Sequence, residues 1–229
     1  IALYLKRCEE LSGKIPSDLK IVYTAMHGVG WNTASKIFKA SGFANIFPVK
    51  EQIEPDPNFP TVEFPNPEEP GAMDLAMAEA RRVGADLIIA NDPDADRLAV
   101  GIPSGGDYRM LTGNELGILL ADYVAQKQQP GTMAASFVSI RQILKVAQKY
   151  GLNSELTPTG FKWIAKVDDL VFGFEEALGY CVDPQHTPDK DGLTAALYAC
   201  QIADDLSQQG MSIEQKLDLI FGLYKNHGH

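Results

Sequence analysis

Three aspartates alternate along one short loop of the sequence, and an arginine follows them directly. Asp92, Asp94 and Asp96 precede Arg97, and apolar segments flank the loop on both sides. Carboxylates this close raise each other's pKa unless water solvates them or a hard divalent cation binds between them. An EF-hand is excluded because its sixth and twelfth positions would be Arg97 and Pro103 instead of glycine and an acid. The spacing predicts a Mg²⁺ site with Arg97 as a charge-assisted donor to phosphate, and a solvated turn is the alternative.

Two further groups of charged residues have types that suit sugar or phosphate chemistry. Glu175 and Glu176 lie on a turn between apolar segments, and Lys190 stands between Asp189 and Asp191 just before a helical pattern. Carboxylates accept hydrogen bonds from paired hydroxyls, such as those of a sugar. An ammonium can transfer a proton or contact a phosphate. By themselves, however, the glutamates favour exposed turn acids, and the lysine is equally consistent with a solvated residue at a helix start.

The elements that must position these residues alternate between strand and helix patterns. Apolar, β-branched runs such as residues 19–26 and 87–90 alternate with helical segments such as residues 72–84 and 113–127. This alternation predicts an α/β fold with two tandem three-layer α/β/α domains and mostly parallel, mixed sheets.

The chain also contains two rounds of this alternation that resemble each other. The stretches “GADLIIANDPDADRLAV” and “VDDLVFGFEEALGYCV” share an acidic start, an apolar strand, an acidic loop and a second apolar strand. They predict related domains at residues 1–108 and 109–229. Ligands of such sheets bind outside the carboxyl ends of the strands, so both acidic loops are expected at such an edge.

Composition excludes several classes of function. The chain has 229 residues, of which 45% are hydrophobic and 22% charged, and a formal net charge of −10, as in many globular proteins. The sequence has no cluster of Lys and Arg that could bind along a nucleic-acid backbone. No apolar run in it reaches the ~20 residues of a membrane helix. Cys8, Cys181 and Cys200 have neither metal-binding nor disulfide spacing. We therefore expect no nucleic-acid or membrane partner and a reducing, cytoplasmic setting.

The loop “DPDADR” resembles the Asp-x-Asp-x-Asp-Arg metal loop of the α-D-phosphohexomutases, the phosphoglucomutase/phosphomannomutase family. Further stretches resemble family motifs in the family's order, namely “YTAMHGVG”, “TPTGFKWI”, “GFEEALGY” and “PDKDG”. The resemblance covers nearly the whole chain, and agreement at several spaced motifs is more specific than any one of them. It implies the second and third of the family's four domains.

The resemblance also implies roles for individual residues. It implies Mg²⁺ ligands at Asp92, Asp94 and Asp96, catalytic roles for Arg97 and Lys190, and substrate contacts from Thr159, Gly160, Glu175 and Glu176. Two positions depart from the family pattern, because Ala177 follows the glutamates where serine is common and Pro188 stands where arginine is common. The lost hydroxyl leaves the choice between glucose and mannose open.

Two loops that the family's activity needs do not occur in the sequence. One is a Thr-(Ala/Ser)-Ser-His-Asn-Pro loop with the phosphorylated serine, which residues 33–39 (“TASKIFK”) match only at their start. The other is an Arg-x-Ser-Gly-Thr-type loop that binds the substrate's phosphate. We therefore expect a fragment that starts abruptly, ends in a linker at residues 224–229 and has the family's first and fourth domains as its missing partners.

For the intact enzyme, the resemblance implies interconversion of a hexose 1-phosphate and a hexose 6-phosphate. The phosphoserine donates its phosphoryl group, a bisphosphorylated sugar reorients, and the other phosphate returns to the serine. The fragment alone is expected to be inactive. A non-catalytic sugar-phosphate-binding module and an aspartate-based phosphatase are the alternatives, although the sequence has none of the other motifs expected of such a phosphatase.

Overall fold

A computed structural model describes residues 1–13, 16–127 and 130–225 of the chain, and the side chains of residues 223–225 are not described. Residues 226–229 of the expected linker therefore lie outside the described residues. Among the described helices, none combines the length and the apolar character that a membrane crossing requires.

The first half of the chain forms a five-stranded sheet in the order β2-β1-β3-β4-β5. Its elements are α1 (Ala2–Ser12), β1 (Ile21–Thr24), α2 (Trp31–Ala40), β2 (Ile46–Pro48), α3 (Asp74–Val83), β3 (Leu87–Asn91), β4 (Leu98–Ser104) and β5 (Asp107–Met110). Strand β1 is parallel to both β2 and β3, and Ile21 lies opposite both Ile46 and Leu87. Strand β4 is antiparallel to its neighbours β3 and β5. The sheet is therefore mixed, with its parallel strands on one side.

The second half forms a four-stranded sheet in the order β7-β6-β8-β9. Its elements are α4 (Gly113–Lys127), β6 (Thr132–Ser136), α5 (Gln142–Tyr150), β7 (Asn153–Thr157), α6 (Phe161–Ile164), β8 (Leu170–Glu175), β9 (Gly179–Cys181), α7 (Gly192–Gln208) and α8 (Ile213–Lys225). Strand β6 is parallel to β7 and β8, and β9 is antiparallel to β8. In both sheets, the first four strands along the chain therefore have the same spatial order: second, first, third, fourth. In both, the fourth strand is antiparallel to the third.

The predicted fold class is confirmed, and burial explains why its strands could be predicted from the sequence. Every residue of β1, β3 and β6 is buried, as expected for strands covered by helices on both faces. Such strands are continuous apolar runs instead of alternating ones. The separation of the two domains near residue 108 stays a prediction, and β5 of the first sheet extends past it to Met110.

Helix α7 joins the two halves. It begins where the Asp191 side chain accepts hydrogen bonds from the backbone N–H groups of Leu193 and Thr194, which caps the helix. It contacts β3 and β4 of the first sheet as well as β9 of the second. One hydrophobic core therefore contains side chains from both sheets.

Candidate functional site

The loop between β3 and β4 brings the three aspartates together. Suitable carboxylate oxygens of Asp92, Asp94 and Asp96 all lie within 4.8 Å of one another. The turn that achieves this places Ala95 at a φ of 61°, and the Ala95 N–H donates to the Asp92 carbonyl at 2.9 Å. Asp92 is buried, Asp96 half-buried and Asp94 exposed. The loop therefore places three hard oxygen ligands, of the type that Mg²⁺ prefers, close together.

Arg97 is bound to Asp92 at the end of this loop. Its backbone N–H donates to Asp92 Oδ1 at 3.0 Å, and its Nε donates to Asp92 Oδ2 at 2.7 Å. Burial raises the pKa of Asp92 above its usual value, and the hydrogen bonds and charge of Arg97 oppose that shift. The Arg97 side chain is 30% exposed, and its Nη atoms have no hydrogen-bond partner among the described residues.

A buried asparagine supports the metal loop from below. Asn91 Nδ2 donates to the Arg97 carbonyl at 2.7 Å, and Asn91 Oδ1 accepts from the Tyr23 hydroxyl at 3.0 Å. Because this amide has no charge, it can hold the loop without adding to the negative charge of the aspartates. Asn91 and Tyr23 therefore connect the loop to the centre of the first sheet.

The “HGVG” turn after β1 lies directly against the metal loop. The Val29 N–H donates to the Pro93 carbonyl at 2.8 Å. A Cβ at Gly28 would lie 2.2 Å from the Pro93 Cα, so this approach requires glycine. His27 is buried and its Nε2 lies 2.8 Å from the Thr61 hydroxyl. The turn thus fixes the metal loop by backbone contact, and His27 packs against the connection that precedes α3.

The loop between β8 and β9 carries the glutamate pair. Glu175 Oε1 accepts the Gly160 N–H at 2.6 Å, which joins this loop to the “TPTG” loop. Glu176 Oε2 accepts hydrogen bonds from the hydroxyls of Ser136 at 3.0 Å and Ser139 at 2.8 Å. One oxygen of each carboxylate is therefore bound to protein. Among the described residues, the second oxygen of each carboxylate has no hydrogen-bond partner.

Lys190 and a short bridge connect the two acidic loops. Lys190 Nζ lies 2.8 Å from Asp96 Oδ2. Arg97 and Gly179 form an isolated antiparallel bridge, and the Leu98 N–H donates to the Leu178 carbonyl at 3.0 Å. The carboxyl ends of β3 and β8 thus meet in one place, where three acids, two cations and a glutamate pair converge.

The start of α7 packs against the metal loop. The Gly192 N–H contacts the Ala95 carbonyl at 3.2 Å, within the metal loop. A Cβ at Gly192 would lie 2.3 Å from the Arg97 carbonyl oxygen and 2.6 Å from Asn91 Nδ2. The “DKDG” segment therefore needs its glycine for close packing, and Lys190 is set two residues before that contact.

Comparison with protein-family models gives two matches that together cover most of the chain. Residues 2–105 match the phosphoglucomutase/phosphomannomutase alpha/beta/alpha domain II, and residues 112–223 match domain III of the same family. The chain belongs to the phosphoglucomutase/phosphomannomutase family. The predicted resemblance is confirmed.

The individual proteins that this family member resembles are longer than the chain itself. It is 46% identical to a probable phosphomannomutase of Haemophilus influenzae over 96% of its own length and 47% of that protein's length. It is 38% identical to the phosphopentomutase of Homo sapiens, covering 97% of the chain and 39% of that protein. The crystal structure of parafusin, a phosphoglucomutase of Paramecium, shares the fold, with a TM-score of 0.72 at 22% identity over 96% of the chain and 40% of that structure. The chain thus spans about half the length, or less, of these relatives.

In this family member, hydrogen bonds connect the loops that carry the predicted site residues. Three of these loops follow the carboxyl ends of β3, β7 and β8. Thr159 is exposed and, within the described part of the chain, its hydroxyl has no hydrogen-bond partner. Ala177 is exposed at the tip of the glutamate loop, where the family's serine would stand. The chemical roles of all these residues stay predictions.

Several residues around the site were not predicted. Ser136 and Ser139 contact Glu176, and Asn91 supports the metal loop. Glu68, in the proline-rich connection at residues 54–71, lines a cavity together with Leu178 of the glutamate loop, so this connection reaches the site. Serine, asparagine and a glutamate in a long connection give no distinctive sequence signal, because only the fold brings them to the loops.

Proposed function

We propose that this chain is the metal- and sugar-binding part of a phosphohexomutase that interconverts the 1- and 6-phosphates of glucose or mannose. In this proposal, residues 1–108 and 109–229 are the second and third of four domains. A phosphoserine exchanges phosphate with the sugar through a bisphosphorylated intermediate. The support comes from the family membership and from relatives that are named as mutases of phosphorylated sugars.

The observation that carries the proposal is the convergence of the metal loop, the glutamate pair and Lys190. Lys190 Nζ lies 2.8 Å from Asp96, and the bridge between Arg97 and Gly179 joins the two acidic loops. A ligand with a phosphate at one end and hydroxyls at the other could therefore contact the cations and the glutamates together. A solvated turn would not require this junction.

The donor set fits Mg²⁺. Three carboxylates with oxygens within 4.8 Å of one another offer hard oxygen ligands from one side, and leave the other side to phosphate or water. Asp92, Asp94 and Asp96 would hold the ion, and Arg97 would orient Asp92. When bound, Mg²⁺ would neutralise negative charge on the transferred phosphoryl group.

The protein's own residues would bind and orient the sugar phosphate. The exposed part of the Arg97 guanidinium suits a phosphate oxygen. Lys190 would contact the phosphate or hold a proton at the reacting hydroxyl. The free oxygens of Glu175 and Glu176 would accept hydrogen bonds from sugar hydroxyls, and the Thr159–Gly160 backbone would border the sugar.

The phosphoserine would come from outside these 229 residues, because no Thr-(Ala/Ser)-Ser-His-Asn-Pro loop occurs in them. The purified chain should therefore show no conversion of glucose 1-phosphate with Mg²⁺ and glucose 1,6-bisphosphate. Glucose 6-phosphate formation can be followed with a coupled dehydrogenase. Turnover that co-purifies with the chain and disappears in Asp94→Asn would contradict this part of the proposal.

Sugar binding is tested separately by calorimetric titration with glucose 6-phosphate in the presence of Mg²⁺. Glu175→Ala should weaken binding about tenfold, because it removes a charged hydrogen-bond acceptor. Glu155→Ala is the matched control, since Glu155 is exposed on β7. Equal affinity of the two variants would contradict the sugar site. An aspartyl-phosphate analogue trapped with Mg²⁺ and beryllium fluoride would instead favour a phosphatase.

A further inference from the structure

Two serine hydroxyls lie beneath the glutamate loop and were not part of any predicted site. Ser136 ends β6 and is fully buried, and Ser139, three residues later, is 4% exposed. Their Oγ atoms lie 2.8 Å apart, and both lie within 3.0 Å of Glu176 Oε2. The Ser139 N–H donates to the Ser136 carbonyl at 3.1 Å, which closes a turn and fixes the spacing of the two hydroxyls.

The same turn also holds the backbone of Glu176. The Glu176 N–H donates to the Ser139 Oγ at 3.1 Å, while the Ser139 hydroxyl faces the carboxylate. Glu176 is therefore bound through both its backbone N–H and its carboxylate. Ser136 belongs to β6, which lies between β7 and β8 in the second sheet, so the turn rests on a central strand.

The two oxygens of the Glu176 carboxylate differ in their contacts. Oε2 is occupied by the serines, and within the described residues Oε1 has no hydrogen-bond partner. A free glutamate side chain samples many rotamers, and fixing it costs conformational entropy when a ligand binds. The serines remove that cost beforehand, because the rotamer is already set in the absence of ligand.

We propose that Ser136 and Ser139 are positioning residues that orient Glu176, so that its second oxygen accepts a hydrogen bond from a hydroxyl of the bound sugar phosphate. This inference rests on the proposed function, since it assigns Glu176 to the sugar. The serines themselves do not touch the ligand. They determine how well a half-exposed carboxylate is ordered for it.

A purely structural role for the serines predicts a different outcome from a positioning role. Structural serines would change the stability of the chain and leave the affinity for a sugar phosphate unchanged. Positioning serines would change the affinity for a sugar phosphate and leave the affinity of the separate metal loop for Mg²⁺ alone. The two roles are therefore separated by measuring both affinities and the melting temperature in the same variants.

The experiment measures glucose 6-phosphate affinity by calorimetry in Ser136→Ala and Ser139→Ala. Each variant should bind about tenfold more weakly, because the Glu176 side chain is then less ordered and the ligand must fix it on binding. Ser139→Thr keeps the hydroxyl and should restore most of the affinity. Ser41→Ala is the matched control, since Ser41 is a buried serine whose Oγ has no partner among the described residues. Mg²⁺ affinity should be unchanged in all four.

Glu176→Ala distinguishes failure of this inference from failure of the proposed function. If the serines act through Glu176, Glu176→Ala alone should weaken binding, and adding Ser139→Ala to it should cause no further loss. Unchanged affinity in Glu176→Ala, or no binding by the parent chain, would overturn the proposed function. Weakened binding in Glu176→Ala with unchanged affinity in both serine variants would overturn the positioning role alone.

Discussion

The three aspartates of the metal loop differ in how much of each carboxylate the protein already uses. Both Asp92 oxygens accept hydrogen bonds from Arg97, and Asp96 forms an ion pair with Lys190. Asp94 is exposed, and among the described residues its side chain has no hydrogen bond or ion pair. Asp94 thus offers a complete carboxylate to a cation, so its substitution disturbs little else.

Asp94→Asn should therefore separate metal binding from folding. We expect the Mg²⁺ affinity to fall at least about tenfold, because one charged ligand is lost. The melting temperature should stay the same or rise slightly, since repulsion with Asp92 is removed. Calorimetric titration with MgCl₂ measures the first, and thermal unfolding the second. Asp168→Asn, at an exposed aspartate outside the site, is the control, and equal binding by the two variants would contradict the metal assignment.

Sequence alone predicts the charged residues of the site better than the groups that hold them. The alternation of Asp92, Asp94 and Asp96 is a local pattern, and the structure brings their oxygens together. The partners of Glu176 lie far away along the chain, at Ser136 and Ser139. Serine hydroxyls are common, and nothing local tells which of them lies under a carboxylate.

At the scale of elements, one buried carboxylate joins three helices of the second half. Asp122 on α4 is completely buried, and its oxygens contact Lys149 on α5 at 3.1 Å and Lys216 on α8 at 2.8 Å. The Tyr150 hydroxyl donates to the same carboxylate at 2.9 Å. A buried charge with these partners is costly to change, because its removal leaves them without an anion.

Asp122→Asn should lower the free energy of unfolding by about 3 kcal/mol at pH 7. The amide keeps the volume of the side chain, so the loss measures the charge and not a cavity. Urea unfolding followed by circular dichroism gives the value. Asp218→Asn on the exposed face of α8 is the control and should change the stability by less than about 0.5 kcal/mol. A similar small change in Asp122→Asn would contradict the role of this contact.

The pH dependence of that difference has a definite sign. Burial acts to raise the pKa of Asp122, but Lys216, Tyr150 and Lys149 outweigh it and hold the pKa below its usual value. A carboxyl with a lowered pKa in the folded state contributes stability above its unfolded pKa and loses it as the pH falls through the folded pKa. The difference between the parent chain and Asp122→Asn should stay constant from pH 7 to about pH 5 and shrink below about pH 4.

The elements themselves were largely predictable, with one instructive exception. Apolar runs predicted β1 and β3, and the helical segment predicted at residues 113–127 is α4. Strand β5 was not predicted, because its four residues, Asp107–Met110, are polar or only partly buried at the sheet edge. A strand that depends on pairing with β4 and not on burial has no hydrophobic pattern of its own.

At the scale of the whole molecule, the two halves are joined by side chains from opposite ends of the sequence. Arg7 on α1 forms two hydrogen bonds to Asp183, at 2.7 and 2.9 Å. The Tyr4 hydroxyl contacts both oxygens of Asp191, at 2.8 Å each. Asp191 caps α7, and α7 packs on both sheets. The position of Lys190 beside Asp96 therefore depends on contacts between the halves.

These contacts predict that the described halves unfold together. The shared core leaves little surface that one sheet could retain after the other is lost, so a single cooperative transition is expected. The two tryptophans allow a direct test, because Trp31 lies on α2 beside Tyr23 and Trp163 lies on α6. In Trp31→Phe and in Trp163→Phe, urea unfolding followed by the remaining tryptophan should have the same midpoint as circular dichroism of that variant. Separate midpoints would show that the two halves unfold independently, and the junction between the metal loop and the glutamate loop would then be lost when the less stable half unfolds.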